Sequence, residues 1–246
     1  MFEDWTIQTK FGHQIFGRTD FSGSKPSDKC FVTVHGYCGR MYERIHVEAC
    51  EYFVQKGYDV VRFDLQSQNH KLRDATLQTH AAYLNSVLQE KCASYENLYL
   101  SGHSYGGPTI MIAQPHRANA ICLWDPSFNL PALWKVMECE DHKDFVLLNF
   151  GGNEVVAGAD MAKEGRSRYG TDECLKLSES LQVPIKVISA EDSEEMKVYE
   201  IDCKTWNNAG HTDNCRVVID GSDHEFFNEN TMQQVFEETL DWFETY

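Results

Sequence analysis

The amino-acid sequence predicts an α/β fold, a mostly parallel central sheet with helices on both faces and one long insertion. Three observations carry that prediction. Several short runs are apolar at most positions rather than at alternate ones, as strands covered on both faces require. Helix-spaced apolar sets lie between those runs, the order expected when crossover helices link parallel strands. No repeat or low-complexity linker divides the 246 residues, so one large domain is expected more readily than two.

Trp5–Thr9 and Gln14–Thr19 flank a Phe11-Gly12-His13 turn and read as an opening hairpin. Phe31–Val34 and Asp59–Phe63 are the next strands, with Ile45, Ala49 and Phe53 on one helical face between them. Leu77, Ala81, Leu84 and Leu88 mark a second helix ahead of the strand Leu98–Ser101. The helix-like stretch Tyr105–Gln114 leads to the strand Ala120–Trp124, and the last strands are Ile185–Ser189 and Arg216–Ile219. The closing helix gathers Met232, Val235, Phe236, Leu240 and Phe243 on one face, and Asn230 with Gln233 resembles a capping box at its start. Residues 127–183 break the rhythm. They hold Phe128, Leu130, Leu133, Trp134, Phe145 and Phe150, then a glycine-bearing tract from Gly151 to Gly170. A connection this long is expected to be a functional insertion with its own helices. The expected division is thus a core of residues 1–126 and 184–246 with a lid at 127–183.

Composition narrows the function classes. With 22 Lys and Arg against 38 Asp and Glu, the net charge is −16. Such a chain is poorly suited to a nucleic-acid backbone or an anionic membrane surface, both of which call for clustered cations. Apolar stretches are too short for a membrane-spanning helix, and the acidic start Met1-Phe2-Glu3-Asp4-Trp5 does not resemble a signal peptide. Nine cysteines without a Cys-x-x-Cys pair read as reduced core thiols. A cytoplasmic globular protein is the expectation; the oligomeric state stays open.

Chemistry concentrates at Gly102-His103-Ser104-Tyr105-Gly106, a Gly-x-Ser-x-Gly pattern between an apolar strand and a helix. A tight turn there lifts the serine above the sheet edge, and small flanking residues make room for it. The plain alternative is a glycine-rich turn with an inert serine. A phosphate loop is excluded, because no Gly-Lys-Ser/Thr follows and no Gly-x-Gly-x-x-Gly exists. A serine nucleophile needs a base, and the base needs an orienting acid. His224, in the loop after the last strand, is the base candidate. His46 and His80 fall on helices, His13 in the hairpin turn, and His103 should point away from the nucleophile. For the acid, Asp192 is favoured over Asp125 and Glu191. All three keep the chain order serine, acid, histidine, but Asp192 follows the strand nearest the histidine's own. Asp125 otherwise reads as a turn residue ahead of the insertion. An oxyanion needs two donors: the backbone N–H of Tyr105, and that of Tyr37 in the turn His35-Gly36-Tyr37-Cys38-Gly39.

His35-Gly36-Tyr37, Gly102-His103-Ser104-Tyr105-Gly106-Gly107, Ala190-Glu191-Asp192 and Asp223-His224 together resemble the α/β-hydrolase superfamily over residues 5 to 245. The resemblance implies hydrolysis of an ester or related acyl bond through a covalent acyl-serine, without a cofactor. Branches with an aspartate nucleophile are disfavoured by Ser104. Ala190 departs from the glycine common before the acid in many relatives. Metal motifs such as His-Glu-x-x-His and calcium loops are absent from the sequence.

The leading expectation is therefore a serine esterase acting on small or medium neutral esters, with Trp124 and Trp134 at the substrate. Thioesterase, amidase and carbon–carbon bond hydrolase chemistry fit the same parts. A non-catalytic protein binding an apolar ligand on this scaffold is the alternative of a different class.

Overall fold

A computed structural model describes residues 1–10, 12–65, 75–150, 153–193 and 215–246. Its centre is an eight-stranded sheet in the order β1-β2-β4-β3-β5-β6-β10-β11. The strands are β1 (Phe2–Gln8), β2 (Gln14–Asp20), β3 (Lys29–Val34), β4 (Asp59–Phe63), β5 (Asn97–His103), β6 (Ala120–Trp124), β10 (Ile185–Ala190) and β11 (Cys215–Ile219). The hairpin β1–β2 and the pair β2–β4 are antiparallel, and every later pair is parallel. Every residue of β4, β6 and β10 is buried, which is why these runs carry no polar alternation.

Helices cover both faces. On one, α1 (Arg44–Gln55) and the closing helix α7 (Glu229–Phe243) pack with Phe31, Tyr99 and Trp124. On the other lie α2 (Leu77–Lys91) and α3 (Gly106–Ala113) against Val32, Leu100 and Leu123. Successive strand residues point to opposite faces, so neighbours such as Phe31 and Val32 enter different cores. The parallel strand order reverses about β3: α1 leads from β3 to β4 on one side, and α2 returns past β3 to β5 on the other. That reversal opens a crevice at the carboxyl ends of β3 and β5, where α/β sheets hold their ligands.

Two details differ from the sequence expectation. The cap of α7 is Asn228, whose side chain accepts from the Asn230 amide at 2.9 Å, not Asn230 itself. The shift arises because an N-cap oxygen serves the amide two or three residues on. The insertion, in turn, is more than helical. After α4 (Leu130–Val136) come β7 (Glu138–Asp141), β8 (Phe145–Phe150) and β9 (Asn153–Gly158), an antiparallel three-stranded sheet. They are followed by α5 (Ala159–Ser167) and α6 (Thr171–Ser180).

The described part of the glycine tract is ordered into β9 and helices. Within α5, a Cβ at Gly165 would stand 2.0 Å from the Trp134 indole nitrogen, so the glycine serves a close helix contact. Helix α6 leans on α3, where the Gln114 amide donates to the Leu177 carbonyl at 3.0 Å. Gly151 and Gly152 lie outside the described residues, as does Phe11 of the opening turn.

Cys30, Cys50, Cys92, Cys122 and Cys174 are buried thiols, Cys215 is half-buried, and Cys38 and Cys139 are exposed. No described helix is long and apolar enough to cross a membrane.

Candidate active site

Ser104 follows directly on β5 at the mouth of the crevice. Its φ of 53° lies in the left-handed region, a strained conformation for a residue with a Cβ, costing on the order of 1–3 kcal/mol. The surrounding contacts enforce it. Its amide donates to the Trp124 carbonyl at 3.0 Å, and its carbonyl accepts from Gly107 and Ser127 at 3.0 and 3.1 Å. The glycines of the motif are there for backbone clearance: a Cβ at Gly102 would meet Gly106 at 2.5 Å, and one at Gly106 would meet the Val34 carbonyl at 2.2 Å.

The turn after β3 approaches from the neighbouring strand. A Cβ at Gly36 would sit 3.0 Å from the Ser104 Cβ, so a larger residue there would crowd the serine side chain. Buried His35 fixes the turn: its Nδ1 meets the Gly36 carbonyl at 2.8 Å, and its Nε2 accepts from the Leu65 amide at 2.9 Å. Those partners demand the neutral Nδ1–H tautomer, and burial pushes the imidazole down to about 4. Tyr37 donates from its hydroxyl to the Val156 carbonyl in β9 at 3.0 Å, and its ring lies 5.3 Å from that of Tyr105. The Tyr105 hydroxyl in turn accepts from the Trp134 indole at 2.7 Å.

His224 is 23% exposed at its side chain, and its Nδ1 meets Asp125 Oδ2 at 2.6 Å. Asp125 is 2% exposed, and its other oxygen accepts from the Ala190 amide at 3.0 Å. Asp125 follows β6, the strand beside β5, with φ of 39°. Asp192 does not meet the histidine. It is exposed, and its amide donates to the Ser222 carbonyl at 3.0 Å. Adjacent Glu191 accepts from the Gly221 amide at 2.8 Å. These two acids therefore pin the β10 and β11 loops together. The sequence argument ranked acids by the strand nearest the histidine's own. The loop after β11 instead crosses β10 and delivers His224 to the end of β6.

Trp124 also needs correcting as a substrate contact. It is fully buried on the α7 side, its indole donating to Thr239 Oγ1 at 2.9 Å. Alternation already implied this, since Cys122, two residues earlier, meets the same Thr239 hydroxyl. Trp134 is 3% exposed and stands behind Tyr105. With Phe128, Leu130 and Leu133 it belongs to the core on that side.

Ser127 went unrecognised in the sequence. It is fully buried, with its hydroxyl 3.2 Å from Ser104 Oγ. Its only sequence signal is its place two residues beyond Asp125. Rival histidines are elsewhere: His46 and His80 are buried on helices, and His13 meets the Tyr83 hydroxyl. His211 lies outside the described residues.

Among the described residues, His103, His224 and Glu225 are close enough together to share a metal ion. One nitrogen of each histidine already holds a partner, His224 O for His103 and Asp125 for His224. Glu225 is exposed. The donor set is thus a poor cage.

No family model matches the sequence, and no curated protein matches it. Solved structures do resemble it. Est1E from Butyrivibrio proteoclasticus is similar with a TM-score of 0.75 at 19% identity, over 98% of this chain and 99% of that one. The esterase domain of a Rhodothermus marinus protein is similar with a TM-score of 0.74 at 16% identity, over 100% and 99%. A dienelactone hydrolase from Anabaena variabilis ATCC 29413 is similar at 0.66 and 12%, over 100% and 98%. The chain has the α/β-hydrolase fold.

Proposed function

We propose that this protein is a serine hydrolase that cleaves small or medium neutral carboxylic esters through an acyl-serine. The observation that carries the reading is the 2.6 Å bond between His224 and buried Asp125, on the strand next to strained Ser104. A carboxylate on Nδ1 keeps the proton there, so Nε2 retains the lone pair that a general base needs. In this reading Ser104 Oγ attacks the ester carbonyl carbon as its proton passes to His224 Nε2. Negative charge gathers on the carbonyl oxygen, within reach of the Tyr37 and Tyr105 backbone N–H groups. The tetrahedral adduct collapses, the C–O bond breaks, and the imidazolium protonates the departing alcohol. Water then repeats the sequence to release the acid and restore Ser104. Asp125 stays ionised throughout and stabilises the imidazolium.

The insertion serves as the lid of this site, since β9 touches Tyr37 and α4 supports Tyr105 through Trp134. Half-buried Tyr37, its ring backed by that of buried Tyr105, offers aromatic surface near Ser104, which suits an apolar acyl or aryl group. A relative of the fold, Est1E, has been seen with ferulic acid bound, and an aromatic acyl group is consistent with these rings. The net charge of −16 opposes anionic substrates at low ionic strength.

A fluorophosphonate probe tests the reading. The wild-type protein should be labelled once, at Ser104, and the Ser104→Ala protein should not. A wild-type protein that stays unlabelled and turns over no ester in a graded panel of acyl and aryl esters would overturn it.

A further inference from the structure

We propose that His103, the residue before the nucleophile, is a positioning residue for the base. The inference rests on the hydrolase reading above. His103 ends β5 with its side chain on the α1 and α7 side, away from Ser104 Oγ, and is 2% exposed. From there its Nε2 lies 2.8 Å from the backbone carbonyl oxygen of His224. A carbonyl only accepts, so His103 must carry its proton on Nε2. The two imidazole rings also lie against each other, with centroids 4.8 Å apart and planes tilted by 39°.

These contacts do different work. The hydrogen bond fixes the height of the β11 loop over the sheet, and the ring beneath limits how His224 can tip. Asp125 then sets the remaining rotation through Nδ1. The base is held at its main chain, by the ring beside it and at Nδ1. Because His103 and Ser104 are consecutive, the nucleophile and the anchor of its base share one rigid strand end. Any shift of β5 carries both together.

The chemistry of an imidazole matters here. His103 faces His224, Glu225, Asp125 and, from α1, His46, whose ring is 6.4 Å away. Burial holds His103 neutral by pushing its imidazole down. A neutral donor anchors the carbonyl without setting a second positive charge beside an imidazolium that forms during turnover. A lysine or arginine could make the same bond, but its charge would oppose the protonated base.

Replacement of His103 by Gln, which keeps an N–H donor at similar reach, and by Phe, which keeps a ring without the donor, tests the proposal. His103→Phe should lose about 10- to 100-fold in kcat and in the rate of fluorophosphonate labelling, with KM little changed, as a misplaced base does. His103→Gln should recover most of that loss. Equal loss in both variants, or no loss in His103→Phe, would overturn the role. Should either variant fail to fold, the histidine nitrogen spectrum of the wild-type protein decides. A neutral Nε2–H His103 across pH 5 to 8 supports the proposal, and an Nδ1–H tautomer defeats it. If the wild-type protein is not labelled at all, the hydrolase reading fails while the spectrum still reports on the His103 bond.

Discussion

Asp125 and Asp192 each close a parallel strand, and the sheet treats them oppositely. Asp125 is buried, with both carboxylate oxygens occupied, one by His224 and one by the Ala190 amide. Asp192 is exposed and bonds the Ser222 carbonyl through its backbone amide. Strand position accounts for the difference. β6 lies beside β5, so the residue after it emerges next to the nucleophile, and its left-handed φ of 39° turns the chain away into the insertion. β10 is one strand further out. A carboxylate acquires its role from the groups that close around it, and proximity along the sheet edge is not enough.

The comparison can be broken or sharpened by measurement. The largest effect belongs to the shared partner: Ser104→Ala or His224→Ala should each cut kcat by about 10⁶-fold, as removal of either member of such a unit does. Asp125→Asn comes next, with a loss of about 10⁴-fold in kcat. The Asn oxygen can keep the Ala190 amide, which leaves an NH₂ facing His224 Nδ1. That arrangement forces the proton onto Nε2 and removes the base's lone pair. Rapid kinetics on folded protein, checked by circular dichroism, would measure both. A dead Asp192→Asn beside an active Asp125→Asn would reverse the assignment.

A third effect concerns stability. His35 is neutral when folded down to about pH 4, whereas an unfolded histidine protonates near 6.5. Between those values the unfolded chain binds the extra proton, so stability is complete above pH 6.5 and declines toward pH 4. The full window is worth about 3 kcal/mol, from 1.36 kcal/mol per pH unit. Buried His46 and His103 are also pushed down and add the same sign. Glu43, raised to about 7 by burial and by Glu225 nearby, opposes them. Urea unfolding of wild-type and His35→Gln protein between pH 4 and 7 isolates the first contribution, and the variant's profile should be flatter.

Smaller still, Trp124→Phe should cost about 1 kcal/mol through the lost bond to Thr239 and leave kcat unchanged. Smallest of all, Asp192→Asn should alter kcat by less than about twofold, as surface changes away from a site do.

Much of this molecule was legible in its residues. β4 and β6 have the limits their apolar runs implied, because a strand buried on both faces is apolar at most of its positions. Ser104 was legible because its backbone conformation demands small neighbours, and those glycines are fixed in the sequence. Which acid meets His224 was not, since that depends on how far the β11 loop travels across β10. The β7–β9 sheet was missed for a related reason. Phe145–Phe150 is apolar at nearly every position, although alternate residues Val146 and Leu148 are buried and Phe145, Leu147 and Asn149 are not, so its two faces cannot be told apart by composition. Ser127 carries no motif, and its closeness to Ser104 arises only from the pairing of β5 with β6.

The bond from the Tyr37 hydroxyl to the Val156 carbonyl joins two parts of the chain that a modular view would separate. One end belongs to the turn proposed to supply an oxyanion donor, the other to the outer sheet of the insertion. Exchanging that sheet for one from another hydrolase would remove the acceptor and release the tyrosine. An engineered change of selectivity made in the insertion would therefore arrive with an unintended change in transition-state stabilisation. If the proposed reaction holds, breadth of substrate and speed of turnover are inherited together.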